Sequence, residues 1–194
     1  MSPEPRADPV RWTWRTHRPG QRAEALARAW LAAELATPAD ALALARDARN
    51  RPQLHGALAR YDCNWSHSGG HLLLALGDGV RVGVDVEQVR PRARALELAQ
   101  RFFAAEEVDW LRGFAAGAPR DAAFARLWCL KEALLKAHGH GLSFGLHRVA
   151  FAPDDGAAAI VRLDPALGAP ADWTVRMLDA PPGCVAALAW RPRA

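Results

Sequence analysis

Apolar residues recur along this chain with two different periods, and the switches between those periods mark out its elements. The clearest period-two stretch runs from Val80 to Glu87. There Val82, Val84 and Val86 alternate with polar positions, so a strand would turn one face to the core and set Asp85 and Glu87 side by side on the other. His71 to Leu76 is a second apolar run, and the turn residues Gly77-Asp78-Gly79 between the two predict a β-hairpin. Tyr61 to Trp65 predicts a short strand leading into a polar, glycine-ended loop, Ser66-His67-Ser68-Gly69-Gly70. Val10 to Trp14 is a further short strand. Late in the chain, Arg148 to Ala152, Ala159 to Leu163, Trp173 to Leu178 and Cys184 to Trp190 are alternating runs parted by Pro, Gly and Asp clusters.

The helical period appears first from Gln21 to Ala36, where Ala23, Leu26, Ala27, Trp30, Leu31 and Leu35 share a face until Thr37-Pro38 stops the pattern. A second short helix is expected from Ala39 to Ala48, followed by a turn at Asn50-Arg51-Pro52. Further helices are expected from Ala93 to Phe103 and from Ala104 to Gly113, the latter with Glu106 and Glu107 at its dipole-favoured front. The longest runs from about Asp121 to His138 and stops at Gly139. On it Trp128, Glu132 and Lys136 are spaced four apart and lie in one row. Helices followed by strands make this an α+β chain.

Composition narrows the class. A chain of 194 residues that is 51% apolar can bury a core, and no run approaches the ~20 apolar residues of a membrane span. With no apolar signal segment at the N-terminus, a cytoplasmic location is expected. Cys63, Cys129 and Cys184 are odd in number and lack metal-ligand spacing, which argues for reduced, structural thiols. The net charge of +4 suits a site that attracts anions better than a nucleic-acid coat, since the arginines are scattered and no aromatic-basic strand motif appears. Only two of the 25 basic residues are lysines, Lys131 and Lys136, and both fall in the longest helix. An amine can lose its proton where a guanidinium cannot, so that helix is a candidate for chemistry.

Asp85, Glu87 and Glu132 together are an oxygen-rich set suited to Mg²⁺. Lys136 stands one turn beyond Glu132, and Arg22, Arg51, Ser66 and His67 are phosphate-seeking groups from the first half. These are the parts of a metal-assisted phosphoryl transfer. An exposed polar strand face and a solvated Glu-Lys pair are the bland readings of the same residues, each favoured if taken alone.

Four stretches in order resemble the 4'-phosphopantetheinyl transferases, and among them the surfactin-synthetase-activating type: Asn64-Trp65-Ser66-His67-Ser68, Gly83-Val84-Asp85-Val86-Glu87, Arg101-Phe102-Phe103 with Glu107 after it, and the segment from Trp128 to Lys136. Gly141-Leu142-Ser143 is similar to the family as well. The resemblance implies two similar α/β halves about a pseudo-twofold axis, 1–78 and 79–194, with a ligand cleft for coenzyme A between them. It also implies Mg²⁺-dependent transfer of the phosphopantetheine arm to a serine of an apo acyl, polyketide or peptidyl carrier protein, with release of adenosine 3',5'-bisphosphate.

Carried over by position, Asp85, Glu87 and Glu132 would hold the metal, and Ser66 and His67 would meet the nucleotide's phosphates. Arg51 would pair the 3'-phosphate, and Arg22 would be another phosphate-binding arginine. For the base that takes the serine proton, Lys136, with a pKa lowered by burial, stands beside Glu107 and a metal-bound water. Trp65 replaces the family's small aliphatic residue, and ahead of Arg22 only Arg15 and Arg18 are basic candidates for the 3'-phosphate. A monomer is expected. The alternative from another class is a coenzyme A-binding module of the same fold without turnover.

Overall fold

Residues 8–152 and 158–193 are described in a computed structural model of the chain. The described residues form strands β1 (Val10–Thr16), β2 (Leu44–Arg46), β3 (Pro52–Leu54), β4 (Tyr61–Ser68), β5 (His71–Asp78), β6 (Val80–Gln88), β7 (Val149–Phe151), β8 (Ile160–Leu163), β9 (Thr174–Leu178) and β10 (Cys184–Pro192). The helices are α1 (Ala23–Glu34), α2 (Ala95–Phe102), α3 (Ala105–Arg112) and α4 (Ala118–His138). Two antiparallel sheets dominate, in the orders β1-β5-β4 and β6-β10-β9, with the ribbons β2-β3 and β7-β8 beside them. The chain is α+β, as its pattern predicts.

Alternation explains the layers. On β5, Leu72, Leu74 and Leu76 pack with Ala27, Trp30 and Leu31 of α1, while Leu73 and Ala75 face the other way, onto Val82, Val84 and Val86 of β6 and Leu188 of β10. The opposite face of the second sheet, with Ala187 and Ala189, packs on Leu130, Ala133, Leu134 and Ala137 of α4. The order is therefore helix, sheet, sheet, helix. A strand buried on both faces needs apolar residues at every position, which is why Leu72 to Leu76 is unbroken.

Three expectations are corrected. His71 to Leu76 and Val80 to Glu87 do not form a hairpin: β5 pairs with β1 and β4, and β6 pairs with β10. The hairpin is β4-β5, with Ser68 opposite His71 across Gly69-Gly70. Both glycines have positive φ, +58° and +85°, the conformation a tight two-residue turn requires. The Ser-His-Ser segment is thus strand, where a loop is expected. Nor does 39–48 form a helix; Leu44–Arg46 pairs with Pro52–Leu54. Turn chemistry wins there, because Asp47 Oδ1 accepts from Arg49 N and Arg51 N, and Asn50 adopts a φ of +64°.

One glycine sets the depth of α4 against β6. A Cβ on Gly83 would lie 2.1 Å from Ala133 O and 2.4 Å from Ala137 N, so only hydrogen lets the helix backbone come this close. The helix ends where Gly139 takes a φ of +96° and its N–H reaches Leu135 O. No helix among the described residues is long and apolar enough to cross a membrane. The three cysteines are free thiols, two of them buried.

Candidate functional site

Along β4 the even positions Asp62, Asn64, Ser66 and Ser68 share a face, and that face meets β6. Asp62 Oδ2 accepts from Val82 N at 2.8 Å, Asn64 Oδ1 from Val84 N at 3.0 Å and Ser68 Oγ from Gln88 N at 3.0 Å. Side chains thereby satisfy backbone donors on the edge of β6 away from β10. The fourth member, Ser66, donates instead to Asp85 Oδ1 at 2.7 Å. Lys136 Nζ completes the group, donating to Asp85 Oδ1 at 2.7 Å and to Ser66 Oγ at 3.1 Å. Asp85 is buried, and its Oδ2 has no hydrogen-bond partner.

The surrounding charges explain the titration of this cluster. Burial pushes Glu132 up to about 7; Lys136 opposes the shift, and Asp85 and Glu87 add to it. Glu87 is raised by burial and by Asp85, against Arg92, whose guanidinium lies 3.8 Å away. The expected lowering of Lys136 is not found. Burial acts in that direction, but Asp85 and Glu132 outweigh it and hold the ammonium above its ordinary value.

As a metal site the cluster fits in its chemistry. Three mutually repelling carboxylates, two of them resisting ionisation, and an unpartnered buried oxygen suit a hard cation. Among the described residues, however, no three His, Cys, Asp or Glu side chains are already gathered about one point. Lys136 supplies the counter-charge to Asp85.

Ser66 and Lys136 open into a cavity of about 740 Å³, lined also by Arg22, Arg28, Arg46, Trp65 and His67. A smaller cavity of about 220 Å³ shares Arg46, Trp65 and Lys136 and extends to Arg49, Arg51 and His140. Arg22 is exposed at the start of α1. His67 is exposed and stacks on His17 with ring centroids 4.3 Å apart; burial of part of its ring, His17 and Lys136 lower its pKa.

Two expected site residues have their polar atoms engaged within the fold. Arg51 is 6% exposed, and all five of its N–H donors are taken, by both oxygens of Asp62, by Pro52 O, by Val82 O and by Lys136 O. It has no donor left for a phosphate, and its work is to tie β6, β4 and the end of α4 together. Glu107 is 1% exposed, 2.7 Å from the equally buried Lys131, and accepts from Ala104 N and Phe151 N at 3.0 Å. None of these partners belongs to the Asp85 cluster, so Glu107 caps α3 and holds β7. That pairing also explains why a lysine stands at 131.

Sequence reasoning missed Arg28 and Arg46, and took Trp65 only as a departure from the family pattern. Arg46 Cζ sits 5.3 Å over the Trp65 ring, with its guanidinium held by Glu24 at 2.7 Å. Arg28 is aimed by Leu42 O at 2.8 Å. The i,i+4 spacing of Glu24 and Arg28 was the available signal, whereas Arg46 lay in a segment read as helix.

A family model described as the 4'-phosphopantetheinyl transferase superfamily matches residues 81–188, more than half of the chain. A putative 4'-phosphopantetheinyl transferase of Synechocystis, slr0495, is 42% identical over 95 residues, or 49% of this chain and 37% of the relative. The 4'-phosphopantetheinyl transferase psf-1 of Bacillus pumilus is 41% identical over 83 residues, or 43% of this chain and 34% of the relative. HetI of Nostoc, also a 4'-phosphopantetheinyl transferase, is 33% identical over 135 residues, covering 67% of this chain and 54% of its own. The matched part of the chain thus spans between 34% and 54% of these relatives' lengths.

Proposed function

The chain belongs to the 4'-phosphopantetheinyl transferase superfamily, and from that premise we propose that it moves the phosphopantetheine arm of coenzyme A onto a serine hydroxyl of an apo carrier protein, releasing adenosine 3',5'-bisphosphate. The observation that carries this reading is the Ser66-Asp85-Lys136 cluster opening into a basic cavity, with one carboxylate oxygen left unpartnered.

The roles follow from chemistry at each atom. Arg22, Arg28 and Arg46 present guanidiniums to the nucleotide's phosphates, and Trp65 with Arg46 above it offers a flat surface for a base. Ser66 and His67 meet the same phosphates. Asp85, Glu87 and Glu132 are the residues that would hold Mg²⁺, which when bound supplies charge neutralisation on the pyrophosphate. Lys136, donating to both Ser66 Oγ and Asp85 Oδ1, is poised as a cation to stabilise negative charge beside the reacting phosphate. The acceptor is one of the acyl, polyketide or peptidyl carriers.

The test is the intact mass of apo carriers of all three kinds after incubation with this chain, coenzyme A and Mg²⁺. The expected result is a gain of one phosphopantetheine group that EDTA abolishes. Asp85→Asn should lose it while melting at the temperature of the parent. No gain on any carrier overturns the proposal.

A further inference from the structure

The face of β6 that carries Asp85 and Glu87 also carries Arg81, beyond Gly83 and the crossing of α4. Arg191 of β10 is its direct antiparallel partner. Like charges placed opposite one another weaken a ladder, so this pair needs compensation. None comes from β10, and the residue just past it adds a third guanidinium: Arg193 N donates to Gly79 O, continuing the register. Arg81, Arg191 and Arg193 line, with Pro192, a hollow of about 460 Å³.

Among the described residues the acids nearby are already engaged. Asp62 lies 3.8 Å from both Arg81 and Arg193, but its oxygens receive Arg51 at 2.7 and 2.5 Å and Val82 N at 2.8 Å. Asp78 is paired with Arg60. Arg191 rests on the Trp173 ring at 5.1 Å and donates to Leu167 O, neither of which carries charge. Burial, together with the guanidiniums of Arg51, Arg193 and Arg191, holds Arg81 below the ordinary arginine value, with Asp62 opposing. Among the described residues the hollow is therefore lined by three guanidiniums, of which Arg81 and Arg193 share a single carboxylate already paired with Arg51, and Arg191 has no ion pair. None of these three residues lines the cleft cavities.

We propose that Arg81, Arg191 and Arg193 form a second anion site, separate from the cleft, that takes a compact phosphate-type oxyanion of the size of pyrophosphate. Planar guanidiniums offer paired N–H donors matched to phosphate oxygens, and bound anionic oxygens would relieve the Arg81–Arg191 repulsion.

The experiment is calorimetric titration of inorganic pyrophosphate into the whole chain at constant ionic strength with EDTA, repeated with saturating coenzyme A. Binding should persist with the cleft filled and weaken at least fivefold in Arg81→Gln and in Arg193→Gln. Arg81→Gln should melt no lower than the parent in anion-free buffer, since it removes a repulsion, whereas Arg193 also donates to Ala59 O and is judged on binding alone. A parallel titration with adenosine 3',5'-bisphosphate separates free from nucleotide-borne phosphate. A compact-anion site leaves pyrophosphate binding intact whether or not the nucleotide is present. Displacement of pyrophosphate by coenzyme A or by the nucleotide overturns the site, as does a loss of less than fivefold in the variants. So does a melting temperature that falls in Arg81→Gln.

Discussion

His67 holds its proton less tightly than a free imidazole because part of its ring is buried and because His17 and Lys136 face it. Folding therefore disfavours its protonation, so the contribution of His67 to stability is full above the ordinary imidazole range and declines as pH falls through it. By NMR its ring should titrate below the usual value in the free protein and move upward when coenzyme A is added. Affinity for coenzyme A should then increase as pH is lowered toward 6. An unchanged titration on binding removes His67 from the phosphate contacts. Lys136→Arg keeps a cation and should retain turnover within about tenfold, whereas Lys136→Ala should lose about a hundredfold or more. Collapse of the arginine variant would restore Lys136 as the base. Arg51→Lys should destabilise the protein without altering the preference for coenzyme A over its 3'-dephospho form, measured as a ratio of dissociation constants. A selective loss for the 3'-phosphorylated ligand would contradict the reading of its five engaged donors.

At the scale of elements, the crossing of α4 over β6 delivers Glu132 and Lys136 to Asp85. Gly83→Ala drives a methyl group into the helix backbone near Ala133 O and Ala137 N. The helix must lift, at a cost of ~3 kcal/mol or more by urea unfolding, and transferase activity should fall further than the lost stability explains. A variant of parental stability would mean that α4 shifts freely there. The hairpin at Gly69-Gly70 acts similarly, since its register puts Ser66 on the side facing β6 and His67 on the other. The stop at Gly139 was legible as local chemistry, whereas Ser68-Gly69-Gly70-His71 read as part of a loop rather than as a hairpin turn. The exchange of partners that sends β5 and β6 to different sheets was not legible, because an apolar run says that a strand is buried but not which edge it joins.

Across the whole molecule, the two sheets are joined beside the site by side chains of β4 bonded to the backbone of β6, with Arg51-Asp62 at one end of this row. Removing one partner of that buried pair strands the other in an apolar setting. Asp62→Asn should cost ~3–5 kcal/mol in chemical denaturation. The same substitution leaves Ser66, Asp85 and Lys136 in contact, so residual folded protein should still bind coenzyme A. Loss of binding with stability intact would show that the row aligns the cleft rather than holding the sheets.

Sequence by itself determined what depends on neighbours a few residues away: the periods of strands and helices, the placing of Asp85 and Glu87 on one face, the row of Glu132 and Lys136, and the glycine stop after α4. Tertiary structure alone decided what depends on partners far along the chain. Arg51 looked like a free phosphate ligand until Asp62, Val82 and the end of α4 took its donors. Glu107 looked like a base until Lys131 and Phe151 claimed it. Arg46, in a segment with helical composition, reached the cleft only because a turn at Asp47 made that segment a strand. A charged side chain carries its chemistry in its own atoms, but whether that chemistry is spent on the fold or left for a ligand is fixed by which groups the fold brings within about 3 Å of it.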